Sequence, residues 1–340
     1  MATIADIAKK TGLGYSTVAQ IVQGRRNYRP RTIELVMNAA EELGYIPNYL
    51  SKSLVGSKSN LIGVFLESSI SSPATALIYP IDKIGRQNGY STFISAGGNK
   101  DSETILELKK LLGYKIEGLI YHSTSPRSQE LIDFLRNITI PIVFLDRAVI
   151  PNHPALVKLC YENALNEMAD YLAAHGHRRA QLLLDEFFIR YPERLIEPYR
   201  TALNRVNIEV IHSSDWCYPC DEFFEEPAYK LTMRHLQAGE RPPLLMAFND
   251  EVAIGAMAAI RDFGLDIPGD ISVVGRDGIA FGQYLRPALA SIARPDPRDI
   301  AGNAFHILHQ MMTTPDFIPT EVRLKMQFVP GTTIADFILN

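Results

Sequence analysis

The sequence contains little of what secreted, membrane or redox proteins need. Only three cysteines occur among 340 residues, and no apolar run is long enough to span a bilayer. Sparse cysteine is typical of proteins in a reducing compartment, and the charged segment MATIADIAKK is unlike a secretory signal. We therefore expect a cytoplasmic protein that is not attached to a membrane.

The motifs of common enzymes and metal sites are also missing. Cys217 and Cys220 form a Cys-x-x-Cys pair, but no second pair or His-x-x-x-His accompanies it to complete a zinc site. We interpret the pair as coincidental, with a redox role as the alternative. The sequence contains no P-loop, no Gly-x-Ser-x-Gly and no His-Glu-x-x-His. We therefore expect no enzyme, no metal and no cofactor.

Charge is distributed unevenly along the chain. The first 60 residues carry a net charge of +4, whereas the whole chain carries −4, so the remaining 280 residues carry −8. A small basic head on an acidic body is expected when only one end of a protein meets a polyanion such as DNA.

The head, residues 1–46, has the pattern of three short helices. Thr3 to Asp6 forms a capping box, which predicts a helix start near Ile4, and Gly12 ends that helix. A second helix follows a tight glycine-containing turn, and Pro30 opens a third. Two short helices joined in this way predict a helix-turn-helix, with a purely structural three-helix domain as the alternative.

The order of segments resembles the LacI/GalR family of bacterial transcription regulators. The resemblance rests on TIADIAKKTGLGYSTV, on GYIPNYLSKSL and on the Gly/Ser/Lys-rich linker that follows. It implies that residues 47–60 form a hinge helix and linker, in which Leu54 matches an apolar side chain that wedges into the minor groove. Ser51 and Lys52 belong to the same predicted minor-groove segment.

The resemblance also assigns roles to the second helix, TGLGYSTVAQIVQG. Tyr15, Ser16 and Gln20 match the positions that face base edges in the family. Gln20 stands where the family usually has an arginine, and glutamine pairs with adenine whereas arginine pairs with guanine. Ala19 lacks the hydroxyl that the family places beside a phosphate. We therefore expect an altered operator rather than lost DNA binding.

The second helix has no arginine or lysine, so the positive charge needed for the DNA backbone must come from elsewhere. Phosphate contacts position a protein on DNA without reading its sequence. We assign them to Thr3, Thr17, Arg25, Arg26, Arg29 and Arg31.

The body, residues 61–340, alternates short apolar runs with helical patterns of 10–15 residues. Runs such as NLIGVFL, IPIVFLD and RAQLLLD have the pattern of buried strands. This alternation predicts an α/β fold with parallel sheets covered by helices, and the length favours two subdomains.

The body resembles the same family, whose core is similar to periplasmic sugar-binding proteins. The segments that carry the resemblance include AFNDEVAIGAMAAIRDFGLDIPGDISVVGRDGI, VFLDRAV and FVPGTT. The resemblance implies two subdomains, about 61–159 with 293–320 and about 160–290 with 322–340. A small effector would bind between them and control DNA binding allosterically.

Matching the motifs gives a set of expected effector-binding residues. They are Glu67, Ser69, Pro73, Ser123, Asp146, Arg147, Arg190, Arg194, Trp216, Asn249, Arg276, Asp277 and Arg294. So many arginines favour an anionic effector, such as a sugar phosphate or sugar acid. The alternatives are that Asp277 and Asp250 cap helices, that Trp216 is a core residue, and that the arginines pair with surface acids.

One reading helix covers half of a DNA site, so a homodimer on a palindromic operator is expected. The C-terminal segment GTTIADFILN has no leucine heptads, which argues against a coiled-coil tetramer. The predicted function is therefore a DNA-binding regulator, most simply a repressor. The alternatives are the same regulator controlled by a phosphoprotein, or a solute-binding protein without a DNA role.

Overall fold

The computed structural model describes residues 2–22, 27–46, 58–67, 71–97, 100–123, 128–219 and 224–337. Six predicted site residues lie outside these ranges: Arg25, Arg26, Ser51, Lys52, Leu54 and Ser69. The side chain of Ser123 is also outside the described part of the structure. Within the described ranges, no helix is both long and apolar enough to cross a membrane.

Three helices form the head: α1 (Ile4–Thr11), α2 (Tyr15–Val22) and α3 (Pro30–Glu42). The predicted capping box is confirmed, because the Thr3 hydroxyl accepts from the backbone N–H of Asp6 and the Asp6 carboxylate accepts from that of Thr3. Gly12 has φ +70°, a left-handed conformation that ends α1 and turns the chain into α2. The helices pack through a small apolar core of Ile7, Val18, Ile21, Val36, Ala39 and Ala40.

The first α/β sheet has six parallel strands in the order β12-β5-β4-β3-β1-β2. The strands, numbered in chain order, are β1 (Leu61–Leu66), β2 (Ser91–Ala96), β3 (Gly118–Ser123), β4 (Ile142–Asp146), β5 (Leu156–Cys160) and β12 (Val322–Lys325). The helices that accompany it are α4 (Ser72–Thr75), α5 (Ile78–Gln87), α6 (Asp101–Gly113), α7 (Gln129–Arg136) and α13 (Pro297–Thr313). The inner strands β1 and β4 are apolar and almost wholly buried, because helices cover both faces of the sheet there.

The second sheet has the order β13-β11-β10-β9-β6-β7, and β8 pairs with β6 outside this path. Its strands are β6 (Arg179–Asp185), β7 (Glu209–Ile211), β8 (Cys217–Tyr218), β9 (Leu244–Ala247), β10 (Ser272–Asp277), β11 (Ala290–Ala293) and β13 (Gln327–Val329). Only the β11–β13 pair is antiparallel among the pairs described. The accompanying helices are α8 (Glu162–Ala174), α9 (Glu186–Arg190), α10 (Ile196–Asn204), α11 (Glu225–Gln237) and α12 (Asp250–Asp262).

The chain crosses between the two sheets three times. It leaves the first sheet after Cys160, returns to it after Ala293, and leaves it again at Met326. The expected boundary near residue 321 is wrong, because β12 pairs in parallel with β5 of the first sheet. The carboxyl ends of β1, β3, β4 and β10 carry polar side chains, which is where ligands of parallel sheets bind.

Candidate DNA-reading helix and ligand cleft

The outer face of α2 presents the predicted base-reading residues. Val18 and Ile21 are buried against the other helices, whereas Tyr15 is 59% exposed and Ser16 is also exposed. Because an α-helix has 3.6 residues per turn, burying Val18 and Ile21 turns Ser16 to the opposite face, and Tyr15 is exposed at the first residue of the helix.

Gln20 lies on the same helix but is half-buried. Its Oε1 accepts a hydrogen bond from the Tyr28 hydroxyl over 2.7 Å. The amide of Gln20 is therefore oriented by a neighbouring side chain. No local sequence pattern indicates this contact, because Tyr28 lies in the loop before α3.

The predicted phosphate contacts lie around this helix in different environments. Arg29 and Arg31 are exposed at the N-terminal end of α3, and Thr17 is half-buried on α2. The Thr3 hydroxyl donates to Asp6 over 2.7 Å, so its proton is already used within the capping box. This hydrogen bond also holds the pKa of Asp6 below its ordinary value.

An ion-pair triad of Arg294, Asp277 and Asp146, named the cleft-floor triad, joins the two subdomains at the carboxyl ends of their strands. Arg294 Nε donates to Asp277 Oδ1 over 2.7 Å, and its Nη1 lies 3.4 Å from Asp146 Oδ2. Asp146 ends β4 of the first sheet and Asp277 ends β10 of the second. All three side chains are largely buried. The predicted effector arginine at 294 is therefore neutralised by two predicted effector carboxylates.

The triad perturbs the pKa of its members in the directions expected for a buried charge cluster. Burial is the largest single influence on Asp146 and opposes its ionisation, but the charge of Arg294 together with smaller contributions from the other basic groups nearby outweighs it and lowers the carboxyl pKa. Burial likewise opposes the charge of Arg294, and the two carboxylates outweigh it and raise the guanidinium pKa. Asp146 and Asp277 both have positive φ, +67° and +104°, a conformation that non-glycine residues rarely adopt away from functional sites.

His122 was not among the predicted effector-binding residues, although it directly precedes the predicted Ser123 at the end of β3. It is buried at the end of β3, and neither ring nitrogen has a hydrogen-bond partner within the described residues. Burial, followed by the charge of Arg294, lowers its pKa, so the ring is neutral and offers one donor and one acceptor. The buried hydroxyls of Tyr199 and Tyr218 similarly lack partners in the described structure.

A second contact joins the subdomains at Glu251, on the first turn of α12. Its Oε1 accepts from the backbone N–H of Ser72 over 2.8 Å, at the start of α4 in the first subdomain. Burial raises the pKa of Glu251. The predicted Pro73 is the next residue of α4 and is half-buried, and the predicted Glu67 is buried at the end of β1.

The N-cap of α12 is Asn249 and not Asp250. Asn249, expected to bind the effector, is the N-cap of α12, because its side chain accepts from the N–H of Val252 over 2.8 Å. The suggestion that Asp250 caps the helix is wrong. Asp250 is fully buried and accepts from the Ser291 hydroxyl and from the N–H of Ile279. Burial raises its pKa to about 7.

The geometry of Trp216 favours the alternative of a core residue. Its side chain is 3% exposed, stacks on His235 with centroids 4.1 Å apart, and donates its indole N–H to Glu240 over 3.0 Å. One face and the only donor of the indole are therefore occupied by the protein itself.

The remaining four predicted arginines differ in their exposure and in whether they form an ion pair. Arg190 is exposed, and Arg194 lies 3.4 Å from Glu193. Arg147 is half-buried, and the guanidinium of half-buried Arg276 lies 5.2 Å from the ring centroid of Tyr161. Both Arg147 and Arg276 act electrostatically on Asp146. They are the arginines near the triad for which the described structure shows no ion pair.

An exposed helix-turn-helix head and a polar cleft between two α/β subdomains define a ligand-responsive DNA-binding regulator. Two family models agree with this division: bacterial regulatory proteins of the lacI family match residues 3–48, and the periplasmic binding protein-like domain matches residues 169–334. The chain belongs to the LacI family of bacterial transcription regulators.

Relatives and solved structures resemble the chain over nearly its whole length. The repressor PurR of Pasteurella multocida is 27% identical and catabolite control protein A of Priestia megaterium is 25% identical. The match covers 88% of both chains for PurR, and 91% of this chain and 92% of the relative for catabolite control protein A. The crystal structure of the lac repressor dimer bound to operator and the anti-inducer ONPF matches with a TM-score of 0.80 and 26% identity, over 98% of this chain and 99% of that one.

Proposed function

We propose that this protein represses transcription as a homodimer that binds a palindromic operator through α2 and responds to a small carbohydrate-derived effector in the cleft. The observation that carries the proposal is the pairing of an outward reading face on α2 with two subdomains joined through the cleft-floor triad. The solute-binding alternative does not account for the helix-turn-helix head. In the other alternative, a phosphoprotein would control the regulator in place of the small effector, and the DNA-binding function would be the same.

The base preference follows from the side chains on the reading face. Gln20 offers both an acceptor and donors, which match N6 and N7 of adenine. Tyr15 and Ser16 lie exposed on the same helix and contribute to the same half-site. Selection of bound sequences from a random DNA pool tests this reading. A palindrome with adenine at one step supports it, whereas binding without sequence preference and with steep salt dependence contradicts it.

The effector we propose is a sugar phosphate or sugar acid. Arg294 is neutralised within the triad, so the anionic group is assigned to Arg147 and Arg276, which lie near Asp146 without an ion pair in the described structure. The neutral ring of His122 and the unpartnered hydroxyl of Tyr199 are suited to hydroxyl groups of the sugar.

Calorimetry with sugars and their phosphates tests this assignment. We expect phosphates to bind more tightly, and Arg276→Gln to weaken phosphates while leaving neutral sugars unchanged. Arg261→Gln, a change at an exposed arginine of α12, is the matched control. Tight binding of neutral sugars with no binding of phosphates would contradict an anionic effector.

The homodimer is supported by apolar side chains exposed on both subdomains. Strand β2 forms an edge of the first sheet, where Phe93 is exposed and stacks on Tyr114 with centroids 4.6 Å apart. On the second subdomain, Phe281 is exposed and Tyr284 is 76% exposed, in the turn after β10. Exposed edges and aromatic patches of this kind are usually covered by a partner. Sedimentation of wild type and Tyr284→Glu tests it, with dissociation expected for the variant.

A further inference from the structure

The Tyr28 hydroxyl reaches from the loop before α3 to the reading helix. Its ring packs against the apolar core of the head, and its oxygen lies 2.7 Å from Gln20 Oε1. The ring is held on one side by the head core, so the hydroxyl is a fixed donor. Gln20 is half-buried beside it.

This contact decides how the Gln20 amide faces a base. A terminal amide presents an acceptor at one corner and two donors at the other, and rotation by half a turn exchanges them. The bond from Tyr28 fixes the carbonyl corner. It leaves one lone pair of Oε1 and both N–H groups for DNA, which is the combination that adenine N6 and N7 require.

Fixing the amide also reduces the entropy that Gln20 loses on binding. An unrestrained glutamine side chain loses rotamer freedom when it is ordered. A guanine edge would present two acceptors, N7 and O6, to an amide whose acceptor corner cannot rotate away. The contact therefore favours adenine both by preorganisation and by mismatch with guanine.

We propose that Tyr28 is a specificity-determining positioning residue that acts through Gln20 without touching a base. The inference rests on the proposed function, because it requires that Gln20 reads a base.

The change Tyr28→Phe tests it with little risk to folding, since it removes one oxygen and keeps the ring in the core. The measurement is fluorescence anisotropy at one salt concentration on operators that differ only at the step read by Gln20. We expect preference for adenine over guanine to fall about fivefold, as for loss of one hydrogen bond. Affinity for an unrelated duplex is expected to stay unchanged, because phosphate contacts are untouched.

Tyr45→Phe is the matched control. Tyr45 is a second half-buried tyrosine that packs on the head core, and its hydroxyl makes no hydrogen bond within the described residues. It should keep the full adenine preference.

A double-mutant cycle shows whether Tyr28 acts through Gln20. In a Gln20→Ala background, Tyr28→Phe is expected to have no further effect on base preference. Full adenine preference in Tyr28→Phe, together with its loss in Gln20→Ala, would overturn the role of Tyr28 alone. Adenine preference that survives Gln20→Ala would overturn the base-reading assignment, and the role of Tyr28 with it.

Discussion

The head and the cleft differ in how their polar side chains are bonded: those of the head mostly face outward, whereas those of the cleft are bonded to other groups of the protein. On α2, Tyr15 and Ser16 point outward and make no hydrogen bond to one another, and only Gln20 is tied to a neighbour. In the cleft, Arg294 binds two carboxylates and Glu251 binds a backbone N–H across the subdomain boundary.

The difference reflects what each site must do. A DNA-reading helix keeps its donors and acceptors in water until a base edge replaces the water. Charges buried between the two subdomains must instead be paired, because an unpaired buried charge is costly. The buried charges of Arg294, Asp146 and Asp277 therefore satisfy one another within the protein.

The largest expected effect comes from breaking the cleft-floor triad. Arg294→Met leaves Asp146 and Asp277 as buried carboxylates without their shared partner. We expect the free energy of unfolding to fall by about 4 kcal/mol, measured by urea denaturation at pH 7. The control is Arg298→Met, which removes an exposed arginine four residues away and should leave stability unchanged. Equal stability of Arg294→Met and wild type would show that the triad contributes nothing.

A pH effect is expected from Asp250. Its folded pKa of about 7 lies above the ordinary value of 3.8, so the folded state holds a proton that the unfolded state releases. This contribution to stability is present below pH 3.8 and is lost as pH rises through 7. We expect a loss on the order of 3 kcal/mol, measured as unfolding free energy between pH 4 and 8.

Asp250→Asn should remove this part of the pH dependence, since an amide does not titrate. The variant can still accept a hydrogen bond from Ser291 through its amide oxygen. Identical pH dependence in the variant and wild type would rule out Asp250 as the source.

A smaller effect on DNA affinity distinguishes contacts to the DNA phosphates from contacts to the bases. Arg31→Ala removes an exposed cation at the start of α3. It is expected to weaken binding to all DNA sequences equally and to reduce the slope of log affinity against log salt by about 1. Gln20→Ala, as the comparison, should change base preference with the salt slope preserved. A sequence-dependent loss in Arg31→Ala would contradict a phosphate role.

The smallest effect concerns the local stability of the head. Thr3→Ala removes the capping hydroxyl of α1, and a loss of about 1 kcal/mol is expected. Hydrogen exchange of the α1 amides measures it without involving the core. Thr3→Ser keeps the hydroxyl and should restore protection, whereas equal exchange in all three proteins would show that the cap is not stabilising.

Features that depend on neighbouring residues in the chain could be predicted from the sequence, whereas contacts between distant side chains could not. The capping box at Thr3, the glycine stop at Gly12 and the apolar strand β6 follow from neighbours in the chain. The apolar runs of the sequence do not include strands β5, β7, β8, β11, β12 and β13. The shortest of these, β7, β8 and β13, have two or three residues, which is too few to show a periodicity.

The sequence predicted which residues belong to the cleft, but it did not predict which of them contact one another. Arg294 was expected to face an anionic effector, yet its carboxylate partners come from strands 17 and 148 residues away in the chain. Trp216 fits the family's aromatic position, but its stacking on His235 depends on tertiary packing that no local pattern records.

The most direct test of the account is the base preference of Gln20. Sequences bound by the purified protein are selected from a random DNA pool at a stated salt concentration, in parallel for wild type and Gln20→Arg. We expect a palindrome with adenine at one step in wild type and guanine at the same step in Gln20→Arg, with the other steps unchanged. The same base at every step for both proteins would contradict the claim that this side chain reads DNA.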